Sequence, residues 1–163
     1  MLLNTKFEIG DKVLYQVEYE EFLKAIAIVP NNDKIMRSLA NSKTSGFLAP
    51  SLLAVAYSLI IYESTMGEAD FSAHYLSRKL NLGNNVTQND AHYHFRFGNT
   101  NTIYSLMDAG NFMWGGWSGF IGLSSAEVYG GSNLNEIFTS GQRDTPADQR
   151  SVYGGRRFFK TRK

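Results

Sequence analysis

The sequence contains no cysteine, which excludes disulfides, thiol catalysis and zinc sites with thiolate ligands. A chain without thiols behaves alike in reducing and oxidising compartments, so it is compatible with action after export. The formal net charge is only +1, so the whole molecule has no strong field to attract nucleic acid. The first residues form no continuous apolar region. We therefore expect no classical signal peptide, and export would require a different secretion machinery.

Long apolar runs are also scarce. The most apolar stretch is Phe47–Tyr62, and its expected helical part, Ser51–Tyr62, has about 12 residues against the ~20 that cross a bilayer. This length predicts a buried central helix and no membrane span.

The organisation of the chain is that of one compact domain, because 163 residues without internal repeats suffice for a single core. Helix-forming segments dominate, so the predicted class is mainly α, that is α+β with a minor β element. Residues 1–18 predict a short β hairpin or an irregular start, and residues 156–163 a basic tail.

One segment alternates polar and aromatic residues with the period of a strand. It is His92–Phe97, and this period places His92, His94 and Arg96 on one face. A metal would need a third ligand from elsewhere, so we assign no metal and no other cofactor. We interpret the three residues as substrate-binding, with a histidine as base and Arg96 as phosphate clamp if the protein is a nuclease.

The most unusual stretch is Ser105–Gly122, which packs five glycines, both tryptophans and one carboxylate into 18 residues. Glycine destabilises a helix, so its repetition indicates close approach of another backbone. We predict that Gly115 and Gly119 lie against another helix, and that Asp108 and Asn111 lie at the rim of the main cleft. We expect the rings of Trp114, Trp117 and Tyr62 to offer stacking surfaces for a sugar.

Two motifs in this half of the chain carry a resemblance. The run Asp108-Ala-Gly-Asn111-Phe-x-Trp114-Gly, with a later Gly, resembles the bacterial polymorphic toxin type 44 domain. The run Asp144-Thr-Pro-Ala-Asp148-Gln149, with Gly154 further on, resembles the second motif of that family. The resemblance covers about residues 107–159. It implies an antibacterial toxin with a dedicated immunity protein.

Glu63 ends the apolar run and precedes small residues. Residues 54–65 are similar to a segment of lytic transglycosylases, and this similarity implies a lysozyme-like fold with Glu63 as general acid. With Asp108, Asp144 or Asp148 as a second carboxylate, such a site would hydrolyse a glycosidic bond.

Asp144 and Asp148 are four residues apart around an expected helix start. Either they are a functional pair, or they stabilise the helix dipole in solvent. Gln149 beside them is a candidate for binding a substrate amide or water.

The function predicted from these features is that of a secreted antibacterial effector, a hydrolase that acts on peptidoglycan in the periplasm of a competitor bacterium. Its expected partners are a cognate immunity protein, peptidoglycan and a secretion system. The alternative is a nuclease toxin that acts on RNA or DNA in the target-cell cytoplasm. A third possibility is a non-enzymatic phage or secretion-apparatus module.

Overall fold

The protein is a single compact domain, mainly α with a small four-stranded sheet. A computed structural model describes residues 5–82, 89–130 and 146–161. Its elements in chain order are β1 (Thr5–Ile9), β2 (Lys12–Val17), α1 (Tyr19–Ala27), α2 (Asn32–Ser42), a 3₁₀ turn (Gly46–Leu48), α3 (Ala49–Thr65), a π-helix (Phe71–Leu76), α4 (Ser77–Lys79), β3 (Tyr93–Phe97), β4 (Tyr104–Ser105), α5 (Leu106–Phe120), α6 (Ser125–Gly130) and α7 (Pro146–Lys160).

The sheet confirms the expected β start and the expected strand of alternating residues. Its order is β1-β2-β3-β4, and β1 and β2 form an antiparallel hairpin. Strand β3 then pairs in parallel with β2, so the helices between them form a crossover. The short β4 pairs antiparallel with β3 and leads directly into α5.

The core is built from aromatic side chains between the sheet and the helices. Phe95 and Phe97 of β3 are fully buried, as alternation requires, whereas His94 and Arg96 are only half-buried on the other face. Phe97 stacks on Phe112 of α5 with ring centroids 4.1 Å apart. Helix α5 is the central helix of the domain, and most of its residues are buried.

The expectation of a buried central helix in the most apolar run is wrong. Helix α3 buries only Ala56, Ile60 and Glu63, because its main packing partner among the described elements is α2. Together with the 3₁₀ turn it spans Gly46–Thr65, which is 20 residues and not 12. This segment is long and apolar enough to cross a membrane, although length and composition are the only criteria it meets.

The basic tail expected at 156–163 is in part the last helix. Helix α7 runs to Lys160, and Arg156 is buried inside the domain. The Arg156 guanidinium donates to Ser118 Oγ at 3.2 Å and to the Leu123 carbonyl, where α5 ends. Burial lowers the pKa of this guanidinium, but it remains a cation suited to a helix C-terminus.

Candidate active site

The candidate site lies where α5 and α7 begin. Near the helix starts Ser151 contacts Asp108, and near the helix ends Phe159 lies against Gly119, so the two helices run in the same direction. Their backbones touch. A methyl group on Gly115 would overlap the Val152 carbonyl oxygen. The prediction that Gly115 and Gly119 face another helix is therefore confirmed.

Four polar side chains meet at this crossing, and we call them the α5–α7 polar cluster: Asp108, Asn111, Asp148 and Ser151. Asn111 Nδ2 donates to Asp148 Oδ1 at 2.8 Å, and Ser151 Oγ donates to Asp108 Oδ1 at 3.3 Å. Ser151 is buried and the other three are half-buried. Both toxin-like motifs, which are 37 residues apart at this bond, thus contribute to one polar cluster.

Asp108 is fixed on both of its oxygens. Ser105 caps α5 by accepting from the Asp108 backbone N–H, and its hydroxyl donates to Asp108 Oδ2, both at 3.3 Å. Asp90 accepts from the Met107 backbone N–H at 2.7 Å in the same first turn. The partial positive charge of a helix N-terminus favours carboxylates at these positions. Among the described residues, the contacts of this carboxylate are serine hydroxyls and no cation is paired with it.

The sheet places His94 opposite Ser105, the residue that caps α5. His94 lies directly opposite Ser105 in the β3–β4 pair, a position at which side chains on the same face are about 5 Å apart. Its Nδ1 is buried and has no hydrogen-bond partner among the described residues. Arg96 donates from Nε to the Thr100 carbonyl at 2.9 Å, and His92, just before the strand, is exposed with Nδ1 3.9 Å from Asp11 Oδ2.

Glu63 is inside the fold, with 1% of its surface exposed. One carboxylate oxygen accepts from Asn31 Nδ2 at 2.7 Å and the other from the Glu68 backbone N–H at 3.0 Å. Gly67 packs so closely that a methyl group there would overlap the carboxylate. A group enclosed in this way joins α3 to the segments before and after it, and this placement does not favour a general acid that meets a polymer.

The two tryptophans offer no face to a sugar, because Trp114 and Trp117 are buried in the core. Each indole N–H donates to a buried or half-buried partner, Trp114 to Ser64 Oγ at 2.8 Å and Trp117 to Asn32 Oδ1 at 2.6 Å. Their predicted role as stacking surfaces is wrong. Tyr62, by contrast, is half-exposed.

Two further predicted residues need separate mention. Gln149 is exposed on α7 beside the cluster, where no described residue holds it. Asp144 lies outside the described residues, so its relation to Asp148 is not defined. Among the residues that the structure describes, no group of three or more histidines and carboxylates is placed to hold a metal ion.

A cleft of about 450 Å³ with a mixed polar and aromatic lining lies between the loop after β3 and the second half of α7. Asn99, Asn101 and Arg157 line it, and neither Asp108 nor Asn111 does. Arg157 is exposed. Sequence reasoning placed Arg157 in the tail and missed this cleft, and it also missed Ser151. The signal for both was helical spacing after Pro146, which puts positions 148, 151, 152 and 155 toward α5 and position 157 away from it.

No protein-family model, no curated protein and no solved structure matches this chain. The resemblance to type 44 toxin domains therefore depends on the two sequence motifs alone.

Proposed function

We propose that this protein is an antibacterial toxin domain of the type 44 kind, a hydrolase whose reacting carboxyls are Asp108 and Asp148. The observation that carries the proposal is the 2.8 Å bond from Asn111 to Asp148. It links two motifs that are distant in sequence and that the toxin family combines. Polar groups in a glycine-packed helix crossing are costly unless they are satisfied, so their presence there favours a use beyond packing.

Two carboxyls at one site suit hydrolysis of a glycosidic bond. One would protonate the leaving oxygen, and the other would activate water or stabilise the cation-like transition state. Asn111 would hold Asp148 in position through the 2.8 Å bond. The Ser151 hydroxyl lies beside Asp108 and can donate either to its Oδ1 at 3.3 Å or to the Ala147 carbonyl at 3.0 Å. The substrate we propose is peptidoglycan in the periplasm of a target bacterium. A secretion system would deliver the toxin, and an immunity protein would protect the producer.

A nuclease is the second candidate, and specific observations favour it. His94, a potential base, lies opposite Ser105, whose hydroxyl donates to Asp108. The outer side of α7 exposes Arg150, Arg157 and Lys160, which could contact phosphates. In this alternative the toxin acts on RNA or DNA in the cytoplasm.

The compartment in which the protein is toxic separates these candidates. The chain is expressed in a test bacterium with and without a fused export signal, and growth is followed. We expect lysis only on export, with soluble fragments released from purified sacculi by the purified protein. Growth arrest by the protein without an export signal, together with degraded RNA or DNA, would contradict the wall hydrolase and support the nuclease. Harmlessness in both compartments would favour a phage or secretion-apparatus module.

The variant that tests the site is Asp148→Asn. It keeps an oxygen that accepts from Asn111, so we expect the fold to be retained, which circular dichroism checks, but it removes the acid–base group. We expect fragment release to fall by about 10²–10⁴-fold, the usual contribution of general acid–base catalysis. Asp33→Asn is the matched control, since Asp33 is an exposed carboxylate in the first turn of α2. An Asp148→Asn protein as active as the parent would leave Asp148 with a structural role only.

A further inference from the structure

The exposed side of α3 has an unusual composition. Positions of high exposure recur every three to four residues through the 3₁₀ turn and the helix, so they form one continuous stripe. We call it the α3 stripe; its large members are Phe47, Leu48, Val55, Ile61, Tyr62 and Met66, between 40% and 96% exposed. Its other members are small or carry a hydroxyl, and the Thr65 hydroxyl bonds back to the Ile61 carbonyl at 2.8 Å.

A helix on the surface of a globular protein normally turns a polar face outward. Here no charged residue occurs from 44 to 62, between Lys43 and Glu63. Over an 18-residue window the mean hydropathy is 1.5, and only 17% of that window is buried. The helix is therefore neither an ordinary surface helix nor a core helix.

We propose that the α3 stripe docks on a phospholipid bilayer, with α3 lying along the membrane surface and the rest of the domain above it. The length of the stripe supports a lipid partner, since 20 residues extend about 30 Å along the surface. Its chemistry supports the same partner. A protein partner would be met by a polar and charged rim with directed hydrogen bonds, and this stripe offers almost none.

The ends of the stripe fit the boundary between lipid and water. Phe47 stands at one end, where its ring can insert as an apolar anchor, and Tyr62 stands near the other, where its hydroxyl favours the headgroup level. Lys43, exposed just before the apolar segment, is placed to meet lipid phosphates. The face of α3 opposite the stripe stays attached to the protein through Glu63 and through Tyr57, which donates to Glu127 at 3.1 Å. Docking thus requires no unfolding.

Membrane docking goes beyond the proposed hydrolase and does not depend on it. It would hold the toxin at a membrane surface, whichever polymer it cleaves. A failure of docking and a failure of hydrolysis are measured separately, because vesicle binding needs no substrate.

The test is flotation of the full chain with large vesicles of phosphatidylcholine, alone or with one-third phosphatidylglycerol. We expect the parent to float with both kinds of vesicle. The double substitution Val55→Glu with Ile61→Glu should lower the partition coefficient at least tenfold. The matched control is Ile28→Glu with Ile103→Glu, which adds the same charge at exposed positions outside α3 and should bind as the parent does. Circular dichroism establishes that each variant is folded.

A second measurement covers the case in which the charged α3 variant does not fold. The substitution Phe47→Trp introduces a tryptophan at a site that is 96% exposed. Lipids with brominated acyl chains should quench the fluorescence of this variant more than that of the parent, whose two tryptophans are buried. A parent that stays with the aqueous fraction for both vesicle types overturns the proposal. The proposal is also overturned if the parent forms a dimer and the charged α3 variant is a monomer. In that case a second copy of the chain covers the α3 stripe.

Discussion

At the residue scale, Glu63 shows how burial changes the meaning of a carboxylate. It sits at the end of an apolar helix, as the acids of lysozyme-like enzymes do, but both of its oxygens accept hydrogen bonds from within the fold. A buried acceptor that satisfies two donors stabilises the structure, and its removal leaves those donors unpaired. Glu63 therefore fastens α3 to the segments on either side of it.

We expect Glu63→Ala to destabilise the protein by about 1–3 kcal/mol, because Asn31 Nδ2 and the Glu68 N–H lose their acceptor. Urea unfolding measures this change. Glu63→Gln is the matched variant. The Asn31 amide can turn to offer its oxygen to the new NH₂ group, so both contacts persist and stability should stay within about 1 kcal/mol.

The same Glu63→Gln protein should release sacculus fragments at the parental rate if Asp108 and Asp148 carry the reaction. A folded Gln variant without activity would instead assign the general acid to Glu63. The comparison thus separates a structural carboxylate from a catalytic one at a single position.

At the element scale, the crossing of α5 and α7 depends on which atoms face each glycine. Opposite Gly115 is a backbone carbonyl of α7, which cannot move without displacing the helix. Opposite Gly119 is the ring of Phe159, 2.9 Å from the position of an added methyl carbon, and a side chain can shift. Gly116 faces Phe22 of α1. Gly122 lies two residues beyond the end of α5 and has a φ of 91°, which disfavours other residues.

We expect Gly115→Ala to lower the free energy of unfolding by about 1–3 kcal/mol or more, as overpacking does. Gly119→Ala should change it much less, because the gain of about 0.5–1 kcal/mol in helix propensity offsets the shift of one ring. Thermal unfolding compares the two, at roughly 2–4 °C per kcal/mol for a domain of this size. Equal effects would contradict a backbone contact at Gly115.

At the scale of the whole molecule, Glu127 joins α3 to α6, two helices that are distant in the chain. Glu127 accepts from the Ser124 N–H at 2.6 Å and from the Tyr57 hydroxyl at 3.1 Å. Burial alone would raise the pKa of this carboxyl, but the hydrogen bonds from Ser124 and Tyr57 outweigh it and lower the pKa below its usual value. A carboxyl whose pKa is lowered on folding contributes stability above its unfolded pKa of about 4.3. That contribution is lost as the pH falls through the lower, folded value.

We therefore expect Glu127→Gln to lower the free energy of unfolding at pH 6–7 by about 0.3–1 kcal/mol, the usual contribution of a charge at a helix start. The melting temperature should fall by roughly 1–4 °C. The difference should shrink as the pH falls below about 4, where the parent loses its charge too. Melting curves of both proteins from pH 3 to 7 measure it. A difference that does not vary with pH would contradict the assigned role of the charge.

Local sequence patterns were sufficient for most elements and for the class of the fold. The hairpin around Gly10, the strand with buried Phe95 and Phe97, and the helix start at Pro146 each depend on near neighbours. These features are set by period, caps and turns, which act over a few residues. The glycine contact of Gly115 and Gly119 was also predictable, because such residues on a helix have few other uses.

The tertiary structure alone decided which residues meet and which side of each helix is covered. The sequence determined that α3 is apolar, but an apolar helix lies in the core only if other elements surround it. Among the described elements, α2 is the main packing partner of α3, and most of the helix surface stays exposed or half-buried. Likewise, the sequence motifs identified Asp108, Asn111 and Asp148 as candidate residues. These residues come together only because α7 packs parallel to α5. Burial and contact between distant segments arise from the packing of the whole chain, so no local pattern contains them.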